Sequence, residues 1–308
     1  MMYDIIGDIH GHALRLEALL KKMGYERDAR SWHHPERRAI FVGDFIDRGP
    51  EQLETYRLVR SMIDEGAALA VMGNHEFNAV AFKTEHPEQL GERLRPHTEK
   101  NRRQHAAFLN QVGEDSDLHG EIIAWFKTLP LYLDLQELRV VHACWHEDSI
   151  HTLGPMLDDR QCLIDEAWAD VACKGSPGFC AAETLLKGLE IRLPDGFSFL
   201  DKEQNERHHI RTRWWKQGGG TYRSIAMMDD ATRQTLPDAP VPAELLPGYT
   251  DETPVFVGHY WLRGTPAPMS DRVACVDYSV TEAAPAGKLA AYRLDGLGAL
   301  TTGCYAWV

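Results

Sequence analysis

The sequence predicts an α/β fold whose sheet begins largely parallel. Two observations carry that prediction. Strand and helix signals alternate through the first third of the chain, and each apolar strand run is followed at once by a short cluster of Gly, Asp, His or Asn. The alternation gives a β-α-β-α-β order, which joins neighbouring parallel strands through helical crossovers. The clusters put polar side chains at strand ends, where ligand crevices form in open α/β sheets.

Taken in order, Tyr3 to Gly7 reads as a short buried strand. Ala13 to Met23 carries Leu16, Leu19, Leu20 and Met23 at helical spacing, and Gly24 stops it. Arg38 to Val42 is the second strand. Pro50 opens a helix with Leu53, Tyr56, Val59 and Ile63 on one side, and Gly66 ends it. Ala67 to Met72 is the third strand. His86 to Asn110, rich in Arg, Glu and His, reads as an exposed helix. Glu121 to Thr128 reads as the end of an amphipathic helix, broken at Leu129-Pro130. Leu131 to Leu135 and Leu138 to Cys144 read as two strands around a tight turn. Across 151–251 the pattern weakens and Pro and Gly are frequent, so this stretch is expected as a cap or insert within a single 1–308 domain. Strand signals return at Pro254 to Tyr260, Arg272 to Val280 and Lys288 to Leu294.

The 308 residues are 44% hydrophobic, enough for a sizeable core. A net charge of −13 argues against bulk binding to nucleic acid or anionic lipid, while leaving room for one small positive pocket. No basic region precedes an apolar stretch at Met1 to Asp8, so no signal peptide is expected. No apolar run approaches the ~20 residues needed to span a bilayer. The six cysteines are scattered without a CxxC pair, which fits reduced thiols and a cytoplasmic location.

Five polar clusters lie where strands end: Asp8-Ile9-His10, Asp44 to Arg48, Asn74-His75-Glu76, His142 and His259. Asp8, Asp44, His10, His142, His259 and Asn74 make a mixed nitrogen and oxygen donor set without thiolate. Such a set suits Mn²⁺, with Fe, Zn²⁺, Co²⁺ or Ni²⁺ as alternatives, rather than Mg²⁺ or Ca²⁺. Six ligands exceed one tetrahedral ion and fit two divalent metals sharing a bridging group, for which Asp44 is the candidate. Asp47 and His75 can pair, the carboxylate orienting the imidazole that protonates a leaving oxygen. Arg48 offers a planar fork for phosphate oxygens.

Gly7-Asp8-Ile9-His10-Gly11, Gly43-Asp44-Phe45-Ile46-Asp47-Arg48-Gly49 and Gly73-Asn74-His75-Glu76 resemble the three signature motifs of calcineurin-like metallophosphoesterases. The Asp-Arg-Gly ending resembles the phosphoprotein-phosphatase branch, which includes Ser/Thr protein phosphatases and symmetrical diadenosine tetraphosphate hydrolases. Trp125-Phe126, Leu129-Pro130 and Val257-Gly258-His259 fit that branch as well. The resemblance implies a β-sandwich of two mixed sheets flanked by helices, with a cap insert. It implies Asp8, His10 and Asp44 on one metal and Asp44, Asn74, His142 and His259 on the other. His75 with Asp47 would be the acid pair, and Arg48 would bind phosphate. It further implies direct in-line attack by a metal-bridged hydroxide on a phosphomonoester, phosphorylated protein or small phosphoester. Symmetrical hydrolysis of a dinucleoside polyphosphate, diadenosine tetraphosphate, is the alternative, and a non-catalytic metal-binding scaffold the remote one. Two features depart from the family pattern. Ala143-Cys144-Trp145 stands where small residues are usual, so Trp145 is expected to narrow the site. Arg211 and Arg213, in the Arg-Trp stretch of the insert, are candidates for further substrate contacts.

Overall fold

The opening alternation folds as β1 (Met2–Ile6), α1 (Ala13–Met23), a two-residue hairpin of β2 (Glu26–Arg27) and β3 (Trp32–His33), β4 (Arg37–Phe41), α2 (Gln52–Asp64) and β5 (Ala68–Ala70). The computed structural model describes residues 2–200, 205–296 and 298–308. Asn74, His75 and Glu76 lie in the first turn of α3 (Asn74–Lys83), which follows β5 directly. Next come α4 (Glu99–Val112), α5 (Asp117–Phe126), β6 (Tyr132–Asp134), β7 (Arg139–Val141), α6 (Glu147–Leu153), α7 (Trp168–Ala172) and α8 (Pro177–Lys187). The exposed helix expected across 86–110 is corrected here. Helix begins only at Glu99, and α4 buries His105, Phe108, Leu109 and Val112 along one face.

Two compact units result, Met1–Leu186 with Thr253–Val308, and Lys187–Glu252. The second unit holds β8 (Glu190–Arg192), β9 (Phe199–Leu200), β10 (Glu206–Arg207), β11 (His209–Arg211), α9 (Tyr222–Ile225) and α10 (Asp230–Gln234). Within it β8 pairs antiparallel with β11, and β9 with β10. Residues 151–186, read as part of the insert, belong to the first unit.

The first unit is completed by β12 (Val255–Val257), β13 (Val273–Cys275), β14 (Asp277–Tyr278), β15 (Lys288–Leu294) and β16 (Tyr305–Trp307). Among the described residues it contains two mixed sheets. In one, β1, β4 and β5 run parallel, while β15 joins β1 antiparallel and carries β14 and β16. In the other, β7, β12 and β13 are parallel and β6 is antiparallel at the edge. Pleat alternation decides the core. Tyr3 and Ile5 of β1, Ile40 of β4, Val140 of β7, Phe256 of β12 and Ala290 and Tyr292 of β15 share one hydrophobic cluster. The parallel strands of each sheet deliver their carboxyl ends to a common edge, and the polar clusters are the loops there.

Phe256 is fully buried, its ring 5.1 Å from that of Tyr292. Phe256→Ala is expected to cost about 3–5 kcal/mol, read as a lowered urea midpoint at unchanged secondary structure.

Candidate metal centre

Backbone strain marks the site before any side chain is considered. His10, Asp44, Asp47, Arg48, His259 and Trp261 all have positive φ, between 47° and 71°. Non-glycine residues avoid this region, and it persists only where the surroundings enforce it. The enforcement is a net of short bonds between loops. The amides of Ile9 and His10 donate to the Asp44 carbonyl at 3.0 and 2.8 Å, and Gly11 to Phe45 at 2.7 Å. Glu76, fully buried, accepts from the amides of Asp44 (2.8 Å), Phe45 (2.8 Å) and Gly73 (3.0 Å). At Gly73 a Cβ would stand 2.3 Å from Asp44 Oδ1, and at Gly258 2.1 Å from Asp8 Oδ1. Glycine is therefore what lets backbone approach both carboxylates.

The donors converge. His10, Asp44 and His75 place ligand atoms within 4.8 Å of one another, and so do Asp44, His142 and His259; Asp44 is common to both groups. Asn74 Oδ1 sits 3.1 Å from His142 Nε2 and 2.7 Å from His259 Nδ1. The Nδ1 atoms of His10 and His142 donate to the carbonyls of Ile46 (3.0 Å) and Val42 (2.7 Å), which leaves Nε2 of each for the site. Asp8 Oδ2 accepts from the His259 amide at 3.1 Å. Asp8 Oδ1 and His10 Nε2 are buried without a hydrogen-bond partner. Buried polar atoms are seldom left so, and unpartnered donors of this kind are what a metal pocket presents, although Asp8 falls in neither of the two groups of three. The residues fit divalent metal.

His75 differs from His10, His142 and His259. Its Nδ1 faces a carboxylate, Asp47 Oδ2, at 2.5 Å, and its Nε2 lies 3.9 Å from Asp44 Oδ2. Arg48 stacks on Trp261, guanidinium carbon 3.9 Å from the ring centroid, and the indole stays 40% exposed. Several neighbours escaped the sequence reading. His105 donates from Nδ1 to Asp47 Oδ1 at 2.8 Å. Gln52 accepts from the Asp47 amide at 2.7 Å. Asp277, buried in β14, accepts from the Trp261 amide at 2.6 Å. His146, close to His142 in sequence, caps α6, its side chain accepting from the Ser149 amide. Trp145 is buried against Tyr132 and Arg139, its indole donating to Glu147 at 2.7 Å. Arg211 and Arg213 belong to the second unit, where Arg211 lies 3.7 Å from Glu190 and the Arg213 amide donates to Ile225.

Residues 1–185 match the family model described as calcineurin-like phosphoesterase. The chain belongs to that family. It is 36% identical over 165 residues to the asymmetrical bis(5'-nucleosyl)-tetraphosphatase PrpE of Halalkalibacterium halodurans, covering 51% of this chain and 63% of that protein. To the protein of the same name from Bacillus subtilis it is 32% identical over 155 residues, covering 49% and 60%. The matches thus span about three fifths of these relatives' length. A Saccharomyces cerevisiae protein serine/threonine phosphatase with similarity to human phosphatase PP5 superposes with a TM-score of 0.50 at 14% identity, covering 100% of this chain and 79% of that one, which shows a shared fold. Among the described residues no helix is long and apolar enough to cross a membrane.

In this member of the calcineurin-like family, charge is unevenly distributed over the buried groups. Burial pushes Asp8 well above the usual carboxylate range, and the Asp277 charge adds to it. Burial opposes ionising Asp44 too, but His142 and His75 outweigh it and hold that carboxyl low. Burial and the neighbouring His75 push His10 down to about 3. Burial also disfavours the charged form of His75, yet Asp44 and Asp47 overcome it and raise its pKa. Burial, then Asp44, pushes Glu76 up to about 7 against the bonds it accepts from Phe45 and Asp44.

Glu76→Gln replaces one accepting oxygen with a donor facing backbone N–H groups. The variant is expected to bind metal about 10–100-fold more weakly, read by metal analysis after graded chelation.

Proposed function

We propose that this chain is a metal-dependent phosphoester hydrolase. One observation carries the reading: His10, His142 and His259 gather around Asp44, with Asn74 against the last two imidazoles, Asp8 on the His259 amide, and a His–carboxylate pair and an arginine nearby. Asp8, His10 and Asp44 would hold one divalent ion, and Asp44, Asn74, His142 and His259 a second. Mn²⁺ is the ion proposed, with Fe, Zn²⁺, Co²⁺ and Ni²⁺ compatible with the donors. Two such ions would supply Lewis-acid stabilisation of phosphoryl charge and a water nucleophile at neutral pH.

The chain's own groups do the rest. Arg48 binds phosphate oxygens, its fork held flat by Trp261. His75, charged through Asp47 on Nδ1, delivers a proton from Nε2 to the departing oxygen. A carboxylate on Nδ1 separates His75 from His10 and His142, whose Nδ1 atoms meet neutral carbonyls. Direct in-line displacement fits, because the proposed ions would supply the water nucleophile and no side chain need form a covalent intermediate. Arg211 and Arg213 of the second unit are retained as candidate substrate contacts.

For the substrate class we place a dinucleoside polyphosphate first. The support is the name of the 32–36% identical relatives, together with Trp261, an exposed ring beside the phosphate-binding arginine. A phosphomonoester of the protein-phosphatase kind is second, supported by the Asp47-Arg48-Gly49 ending of the motif.

With Mn²⁺, diadenosine tetraphosphate is expected to give a higher kcat/KM than p-nitrophenyl phosphate or a phosphopeptide; preference for the phosphopeptide reverses the order. No turnover of any phosphoester at full metal content would leave a metal-binding scaffold. His75→Ala is expected to lower kcat by about 10²–10⁴-fold with metal retained. Metal lost instead would make His75 a ligand.

A further inference from the structure

Asp47 is gripped from two sides. Its Oδ2 faces His75 at 2.5 Å, and its Oδ1 accepts from His105 Nδ1 at 2.8 Å. Gln52 fixes the Asp47 backbone, not the carboxylate. The torsion that turns a carboxylate about its last bond is broad, so one bonded oxygen leaves the plane poorly defined and a second defines it. His105 is itself held. It is 5% exposed, its ring lies against Phe82 and Phe108 at centroid separations of 5.4 and 4.9 Å, and α4 fixes its backbone. Its Nε2 has no protein partner among the described residues. It lines a cavity of about 20 Å³ together with Asp47, His75, Asn78, Phe82, Arg95 and Gln104, room for one water.

We propose that His105 is a positioning residue for the proton-donating pair: by binding the second oxygen of Asp47 it fixes the carboxylate plane, and through it the aim of His75. The inference rests on His75 being the proton donor proposed above. A core histidine that merely filled space between Phe82 and Phe108 would be replaceable by an apolar side chain of similar size, with no effect specific to the chemistry.

The readout is leaving-group dependence. An aryl phosphate with a good leaving group, p-nitrophenyl phosphate, needs little proton donation; phenyl phosphate needs much. The Mn²⁺-loaded full chain is assayed on both, with metal content measured in parallel. His105→Leu is expected to lower kcat at least about tenfold on phenyl phosphate and far less on p-nitrophenyl phosphate, with KM and metal nearly unchanged. His105→Asn, whose amide nitrogen stands close to the Nδ1 position, is expected to restore most of the loss, whereas His105→Gln, whose amide falls near Nε2, is not. The Asn and Gln pair carries the test if the Leu variant does not fold. Equal loss on both substrates, no loss on either, or Asn behaving like Gln overturns the proposal. His75→Ala is the control. If it shows no leaving-group dependence, the proton-donor reading of His75 fails and takes this one with it; if it does and His105 variants do not, only the positioning role is lost.

Discussion

One buried carboxylate holds the site together. Glu76 takes the amides of Asp44, Phe45 and Gly73, so the loop after β4 and the start of α3 share a single anchor. Three N–H groups that would otherwise be buried without acceptors are satisfied at once, and each unsatisfied one would cost about 1–3 kcal/mol. From this anchor the remaining geometry follows. Asp44 stands in a left-handed turn with its side chain within 4.8 Å of imidazoles from four other segments. The Asp44 carbonyl, turned outward by the same conformation, receives Ile9 and His10 and sets the loop after β1. The His75 amide, one residue into α3 beyond Asn74, donates back to Asp44 Oδ1 at 3.0 Å. The acid that closes this loop is fully buried beside another carboxylate, a costly arrangement that recurs where function requires it.

Much of this was legible in sequence because the key groups lie in short contiguous stretches. Asp8 with His10, Asp44 with Asp47 and Arg48, and Asn74 with His75 are each set by one loop, and glycines bracket them where backbones nearly touch. The β-α-β-α-β start was legible too, since each element has its own apolar period. What could not be read depends on packing between distant segments. His105 lies in a stretch dominated by Arg, Glu and Gln, and its burial comes from its place on the apolar face of α4. The spacing of His105, Phe108, Leu109 and Val112 was the available signal. Asp277 lies inside the Arg272 to Val280 run read as strand, but its bond to the Trp261 amide joins separate segments that no local pattern links. Strand β16, Tyr305–Trp307, is three residues long and exists through its ladder with β15.

The second sheet illustrates a different limit. Its parallel core joins β7, β12 and β13, although more than 110 residues separate β7 from β12 in the chain. No local pattern encodes that pairing; the resemblance to a known family supplied it. The second unit, Lys187–Glu252, falls within that long connection. Asp8, His10, Asp44, Asn74, His142 and His259 all lie in the first unit.

The left-handed backbone at six site residues bears on how this chain can change over generations. Glycine would relax the backbone at every one of those positions, yet five of them carry side chains proposed above for the reaction or its metals. Selection for folding robustness alone would relieve that strain wherever the loss of side-chain hydrogen bonds allows, at the expense of activity. Selection for activity must hold the opposite line. A library sorted only for heat tolerance is a poor source of active variants of this protein, and positions 10, 44, 47, 48 and 259 are where the two pressures would part.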